Sequence, residues 1–276
     1  WHNHKARALK CTILRKMHKD EEALKLIDDS LKIDIFNYGC RYERFLIEND
    51  EKEINAIIEL MHGEPFNYDE IALDYCAAGC WEEAVSLWYV AIEREEVTPM
   101  TFYYQGWAMV MGGLEGSEAV FDKAANFFSV YCFPNRLEAI LSLKLAMNIN
   151  PDDAKAPYYL GNLYYDKRQY DIAIELWNIS AKKDAYFPTV WRNLALATFN
   201  KLDDAKKAKE YIQHAFLLDK SDARLFMEYD QLLKRLRTPH EERFRNFMEY
   251  EYLIEQRDDL VLEKITLLNQ LGRYNE

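Results

Sequence analysis

Four groupings of residues carry types that could do chemistry. His240-Glu241-Glu242-Arg243-Phe244 opens like the zinc-protease signature, in which two histidines four residues apart on one helix hold the metal and the glutamate acts as base. Phe244 stands where the second histidine belongs, and one nitrogen ligand cannot hold zinc, so the segment reads as a helix N-terminus. His2-x-His4 offers two imidazoles at the chain end with no further ligand beside them. Cys76-x3-Cys80 straddles a turn at Gly79, but metal knuckles come in pairs and no second one exists, so these are structural thiols. Met111-Gly112-Gly113-Leu114-Glu115-Gly116 lacks the Lys-Ser/Thr of a phosphate loop and follows no strand. The six histidines are scattered, so no Ser-His-Asp or Cys-His set assembles, and no carboxylate pair stands out on so acidic a chain. The reading is a protein that is not an enzyme and needs no cofactor or metal.

Charge narrows the partners. A formal net charge of −12 repels phosphate backbones and anionic lipid, which argues against nucleic acid and membrane surfaces. No stretch approaches the roughly 18 apolar residues of a membrane span. Five cysteines, odd in number and set inside helical patterns, read as reduced thiols and favour a cytoplasmic setting.

The elements that must position any site are helical. Gly (9) and Pro (7) are few, and hydrophobic residues make up 49% of the chain, enough for a continuous core. The clearest unit is residues 154–188, with Leu160-Gly161-x-x-Tyr164 followed by Ala173-x-x-x-Trp177. Trp191, Leu194, Ala195 and Thr198 each fall 34 residues after Pro157, Leu160, Gly161 and Tyr164. Small residues at Gly161 and Ala173 let two antiparallel helices approach, while Leu160, Tyr164 and Trp177 fill the space beside the crossing. One such hairpin cannot bury its own apolar face and must stack on a neighbour.

The pattern recurs along the chain. A first hairpin spans residues 4–34, with Cys11 and Leu14 packing from one helix and Ala23, Ile27 and Ser30 from the other. A second, weakly patterned, covers 36–62. The third runs from Tyr68 through Gly79, a helix stop, to Trp88 and Ala91, and the fourth restarts at Phe102 and Gly106. Regularity breaks near 111–135, where a helix is expected to about residue 131. Residues 136–149 look like the second helix of a repeat, whose partner is either the helix around 120–130 or nothing. Further hairpins follow from 188, with one extra turn residue at Leu202-Asp203-Asp204, and from 223 to about 256. Residues 257–272 form a first helix whose second is missing. With no initiator Met at WHNHKARALK either, the expectation is a piece of a longer chain.

This large-Leu-small-aromatic and Ala-x3-aromatic pattern resembles the tetratricopeptide repeat. The resemblance implies an all-α, right-handed superhelical solenoid of antiparallel helix hairpins, about seven to eight of them, some degenerate, forming one domain over 1–276. The stretches YCFPNRLEAI, APYYLGNLYYDKRQY and FPTVWRNLALATFNKL are further similar to arrays in large bacterial proteins that carry an N-terminal β-sandwich domain of unknown function in a carbohydrate-related context.

The resemblance also implies a function: a non-catalytic scaffold binding a peptide or partner protein on a concave face lined by the first helices. An accessory or dimerisation module of a larger, carbohydrate-active enzyme is the alternative, with a homodimer or a contact to a missing domain as its form. By register the outward first-helix positions include Tyr158 and Asn162, then Arg192, Asn193, Leu196 and Asn200, then Arg224, Met227, Glu228, Gln231 and Lys234. Family members that grip a C-terminal carboxylate use Lys and Asn, then Asn, then Lys and Arg. Asn162, Asn193 and Arg224 occupy three of those five places, with Tyr158 replacing the Lys and Glu228, which would repel a carboxylate, replacing the last Arg. Candidate peptide contacts are therefore Tyr158, Asn162, Arg192, Asn193 and Arg224, joined by Tyr104 and Trp107 in the fourth hairpin. Asparagines on a polar surface and aromatics at helical spacing also fit plain surface and core.

Overall fold

The structure, a computed structural model, describes residues 3–128 and 132–275, and the described residues are α-helical apart from turns and one 3-10 segment. Their packing forms two compact units, the first spanning residues 1–132 and 136–151 and the second residues 133–135 and 152–276.

In the first unit, α1 (His4–Lys16) pairs with α2 (Asp20–Leu31), α3 (Tyr38–Glu48) with α4 (Glu51–Met61), and α5 (Pro65–Ala77) with α6 (Trp81–Glu93). Cys11, Ala23, Ile27 and Ser30 are buried at the positions expected of the first hairpin, and Leu14 is half-buried. Asp20, Glu21 and Glu22 occupy the first turn of α2, where carboxylates suit the exposed N–H groups. Gly79, at φ +73°, closes the α5 end in the left-handed region that a side chain disfavours.

Next, α7 (Pro99–Gly112) is buried on every side from Pro99 to Met109. A helix apolar all round needs neighbours all round, and it has them: α5, α6, α8 (Ser117–Asn126) and α9 (Glu138–Ile149). Gly106 allows the closest approach, since a methyl there would sit 2.9 Å from the Phe121 ring of α8. The sequence pattern pairs α9 with α8 or with nothing; in the structure α9 lies mainly against α7, which takes a helix on each flank. Helix α8 also stops sooner than expected, at Asn126, with Phe127 already extended; residues 129–131 lie outside the described residues.

The second unit holds α10 (Lys155–Asp166) on α11 (Tyr170–Lys183) and α12 (Pro188–Lys201) on α13 (Ala205–Leu218). Then come α14 (Ala223–Arg235), α15 (His240–Glu249), a 3-10 helix at Glu251–Gln256, and α16 (Asp258–Gln270), which packs on the 3-10 helix and on α15. At the α10–α11 crossing, a methyl on Gly161 would lie 2.5 Å from Trp177 Nε1 and 3.2 Å from the Ala173 carbonyl oxygen.

Each unit buries an ion network. In the first, the fully buried Glu43 of α3 accepts from Arg15 Nε at 2.7 Å, Thr12 Oγ1 at 2.9 Å and the Tyr75 hydroxyl at 2.6 Å, tying α1, α3 and α5 together. Arg15 also donates to Glu83 of α6 at 2.9 Å. In the second, Arg243 and Asp230, each 1% exposed, form a two-pronged pair, and Arg243 also reaches Glu263 of α16 at 2.6 Å.

Candidate functional site

Five of the seven candidate contacts lie in the second unit and two, Tyr104 and Trp107, in the first. Tyr104 and Trp107 are buried: Tyr104 stacks on Trp88 at 6.4 Å and Trp107 meets Trp81 edge-on at 5.5 Å. Burial pushes the Tyr104 hydroxyl well above the ordinary tyrosine value. Tyr158 is buried as well, wedged edge-to-face between Phe187 at 4.8 Å and Tyr159 at 5.2 Å. These three aromatics pack hairpins together.

The other four form one hydrogen-bonded chain across α10, α12 and α14. Trp177 Nε1 donates to Asn162 Oδ1 at 3.1 Å, and Asn193 Nδ2 donates to the same oxygen at 3.0 Å. Arg192 Nη1 donates to Asn193 Oδ1 at 3.1 Å, and its Nε and Nη2 grip both oxygens of Glu228 at 2.5 and 2.6 Å. Arg224 Nε closes the chain on Glu228 at 3.2 Å. Burial works against the Arg192 charge, but the bonds to Glu228 outweigh it and hold its pKa above the ordinary value. Glu228 is thereby held by two guanidinium groups, and the repulsion its sequence position suggests is cancelled locally.

Beside this chain a pocket of about 200 Å³ opens between α12 and α14. Leu196, Asn200, Met227, Glu228 and Gln231, all outward positions by register, line it together. Sequence reasoning missed Phe199 and Arg235, whose guanidinium carbon lies 5.8 Å from the Phe199 ring centre. Arg235 sits seven residues after Glu228, so the same helix stripe would have named it; Phe199 carried no signal apart from its core-like type. Lys234 does not face this pocket and instead bonds Glu263 at 2.8 Å.

Elsewhere, His240 begins α15 while Arg243 and Phe244 are buried. All five cysteines are buried and free, and burial pushes Cys76 up to about 12 and Cys132 to about 11. Among the described residues no His, Cys, Asp and Glu cluster could hold a metal, and no helix is long and apolar enough to cross a membrane. His2 lies outside the described residues. Among the carboxyl groups of the described residues the most perturbed is Asp69, 4% exposed and bonded by Trp88 Nε1 at 2.8 Å; burial raises it to about 7.

No family model matches the chain. Solved structures similar to it include MamA (residues 41 to the end) from Desulfovibrio magneticus RS-1, 18% identical over 69% of this chain and 95% of that one, with a TM-score of 0.39. PilF of Pseudomonas aeruginosa is 18% identical over 75% of this chain and 84% of its own, with a TM-score of 0.42. The first TPR of Spaghetti (RPAP3), bound to the HSP90 peptide SRMEEVD, is 22% identical over 43% of this chain and 93% of its own, with a TM-score of 0.37.

Proposed function

We propose that the chain is a non-catalytic protein-interaction module whose second unit receives an extended peptide across α10, α12 and α14. The observation that carries the reading is the apolar pocket of Leu196, Phe199 and Met227 set beside the Asn162–Asn193–Arg192–Glu228–Arg224 chain. An apolar side chain fills such a pocket while polar groups at its rim fix orientation. Arg192, Arg224 and Arg235 outnumber Glu228, so the face favours an acidic or carboxyl-terminal segment in spite of the chain's net negative charge. Five buried free thiols are compatible with a reducing compartment, which supports a cytoplasmic site of action.

The heptapeptide SRMEEVD is a ready acidic probe. Saturable binding is expected, weakened about tenfold by Arg235→Ala and by Leu196→Glu, each of which alters a residue that lines the pocket without joining the hydrogen-bonded chain. No saturable binding, or affinity unchanged in both variants, would remove the reading.

A second reading is an accessory or dimerisation module of a larger bacterial, carbohydrate-active protein; the exposed apolar side chains on α16, Leu262 at 64% and Ile265 at 49%, support its dimeric form alone. Sedimentation of a strict monomer across the micromolar range would remove the dimeric form.

A further inference from the structure

The first unit has a pocket on its own first helices that the peptide face of the second unit does not use. It measures about 260 Å³ and opens between α1, the turn before α3, and α5. That volume suits one side chain better than a drug-sized molecule, which takes roughly 300–1,000 Å³. Leu9 and Ile71 supply apolar wall on its two sides and Phe36 adds a half-exposed ring.

Two independent features define the ligand. The first is charge: Asp34, Glu70 and Asp74 line the pocket against a single lysine. Lys5 Nζ is shared between Glu70 Oε1 at 3.3 Å and Asp74 Oδ1 at 3.0 Å, while Arg136 approaches Glu70 at 3.5 Å and His4 Nδ1 lies 3.7 Å from Asp34. The second is an orphan donor. Asn37 is 5% exposed and lines the pocket; its Oδ1 caps α3 by accepting from Cys40 N at 3.2 Å, and its Nδ2 is buried with no partner. A buried N–H without an acceptor is destabilising, and a ligand carbonyl would relieve it. His4 Nδ1 is likewise buried without a hydrogen bond.

We infer that this pocket binds an arginine residue of an extended peptide. The aliphatic stem lies along Leu9 and Ile71, the guanidinium engages Glu70 and Asp74 in competition with Lys5, and a backbone carbonyl of the peptide accepts from Asn37 Nδ2. Arginine fits because its planar fork bonds carboxylates two-pronged, whereas the lysine already present acts as a point charge. A bare organic cation would answer the carboxylates and leave Asn37 unsatisfied; nucleic acid would be repelled by them. The site is independent of the second unit's face and opposite to it in charge preference.

The probe is N-acetyl-Leu-Arg-Leu-amide titrated into isotope-labelled protein and followed by amide chemical shifts, with the citrulline peptide as neutral isostere. Saturable shifts confined to α1, α3 and α5 are expected, at least about tenfold weaker with citrulline. Asn37→Ser keeps a good helix cap and removes the amide donor, so the arginine peptide should bind about fivefold more weakly. Asp74→Asn, at a half-exposed position, provides a second variant with the same expected direction. Equal affinity for the two peptides, shifts spread over the acidic surface or placed on the second unit, or indifference to both substitutions would each overturn the inference.

Discussion

Asn193 donates to the Oδ1 of Asn162 at 3.0 Å, so the two amides expected to reach for a peptide hold each other across α10 and α12. Asn162 Oδ1 also receives Trp177 Nε1. Asn162→Ala therefore removes the acceptor of Asn193 Nδ2 and leaves the buried Trp177 indole only its longer bond to the Tyr158 carbonyl at 3.3 Å, and should cost about 1–2 kcal/mol. Asn193→Ala leaves Trp177 its acceptor and should cost under about 1 kcal/mol. Urea unfolding of the two variants checks the order; equal losses would show that the indole bond contributes nothing.

Gly161 and Gly79 are both glycine for different reasons, and one substitution series separates them. Alanine at 161 drives its methyl into Trp177 and should cost about 1–3 kcal/mol through overpacking. Alanine at 79 meets nothing within 4 Å and costs about 1–2 kcal/mol through its left-handed backbone alone. Asparagine, which tolerates that backbone, should recover much of the loss at 79 and worsen it at 161. Thermal melting of the four variants reads the crossover.

Asp69 sets a pH dependence. Burial lifts its carboxyl from the ordinary value of about 4 to about 7, against the opposing bonds from Trp88 and Thr101. The folded state therefore keeps a proton that the unfolded chain has lost. This group's contribution is full below about pH 4 and declines as pH rises toward 7, by up to about 1.4 kcal/mol per unit. Asp69→Asn removes the titration. The wild-type unfolding free energy minus that of the variant should fall between pH 5 and 7 and level off toward pH 8; a difference that stays constant over that range would contradict the assignment.

Arg243 neutralises two buried carboxylates, Asp230 and Glu263. Arg243→Met leaves both in place and should cost about 3–5 kcal/mol. Lys234→Met removes an exposed partner of Glu263 and should cost about 1 kcal/mol or less. Denaturant midpoints of the two variants test the contrast.

Periodicity made the hairpins legible. The large and small positions of residues 154–188 set the register, and Gly161, Ala173 and Trp177 meet in the structure as that register requires. Outward positions were legible too, since five of them line the α12–α14 pocket. What each outward residue bonds was not. Arg192 and Glu228 are 36 residues apart, and whether they touch depends on how neighbouring hairpins rotate, which a per-helix pattern does not encode. The aromatics Tyr104, Trp107 and Tyr158 show the limit from the other side: one residue of rotation turns an outward position inward. Helix α9 eluded the reading because α7, buried all round, offers two flanks where a regular repeat offers one.

The Glu43 network has a consequence for how the first unit could change over time. Helical arrays usually gain or lose whole repeats, because each contacts only its neighbours through similar apolar faces. Excising the second hairpin here would remove Glu43, leaving the Tyr75 hydroxyl and part of the Arg15 guanidinium without their acceptor and Thr12 only its bond to the Ala8 carbonyl. Duplicating it would bury a second carboxylate with no arginine to meet it. The backbone repeats while the charges do not, so each of these hairpins has a single address in the order.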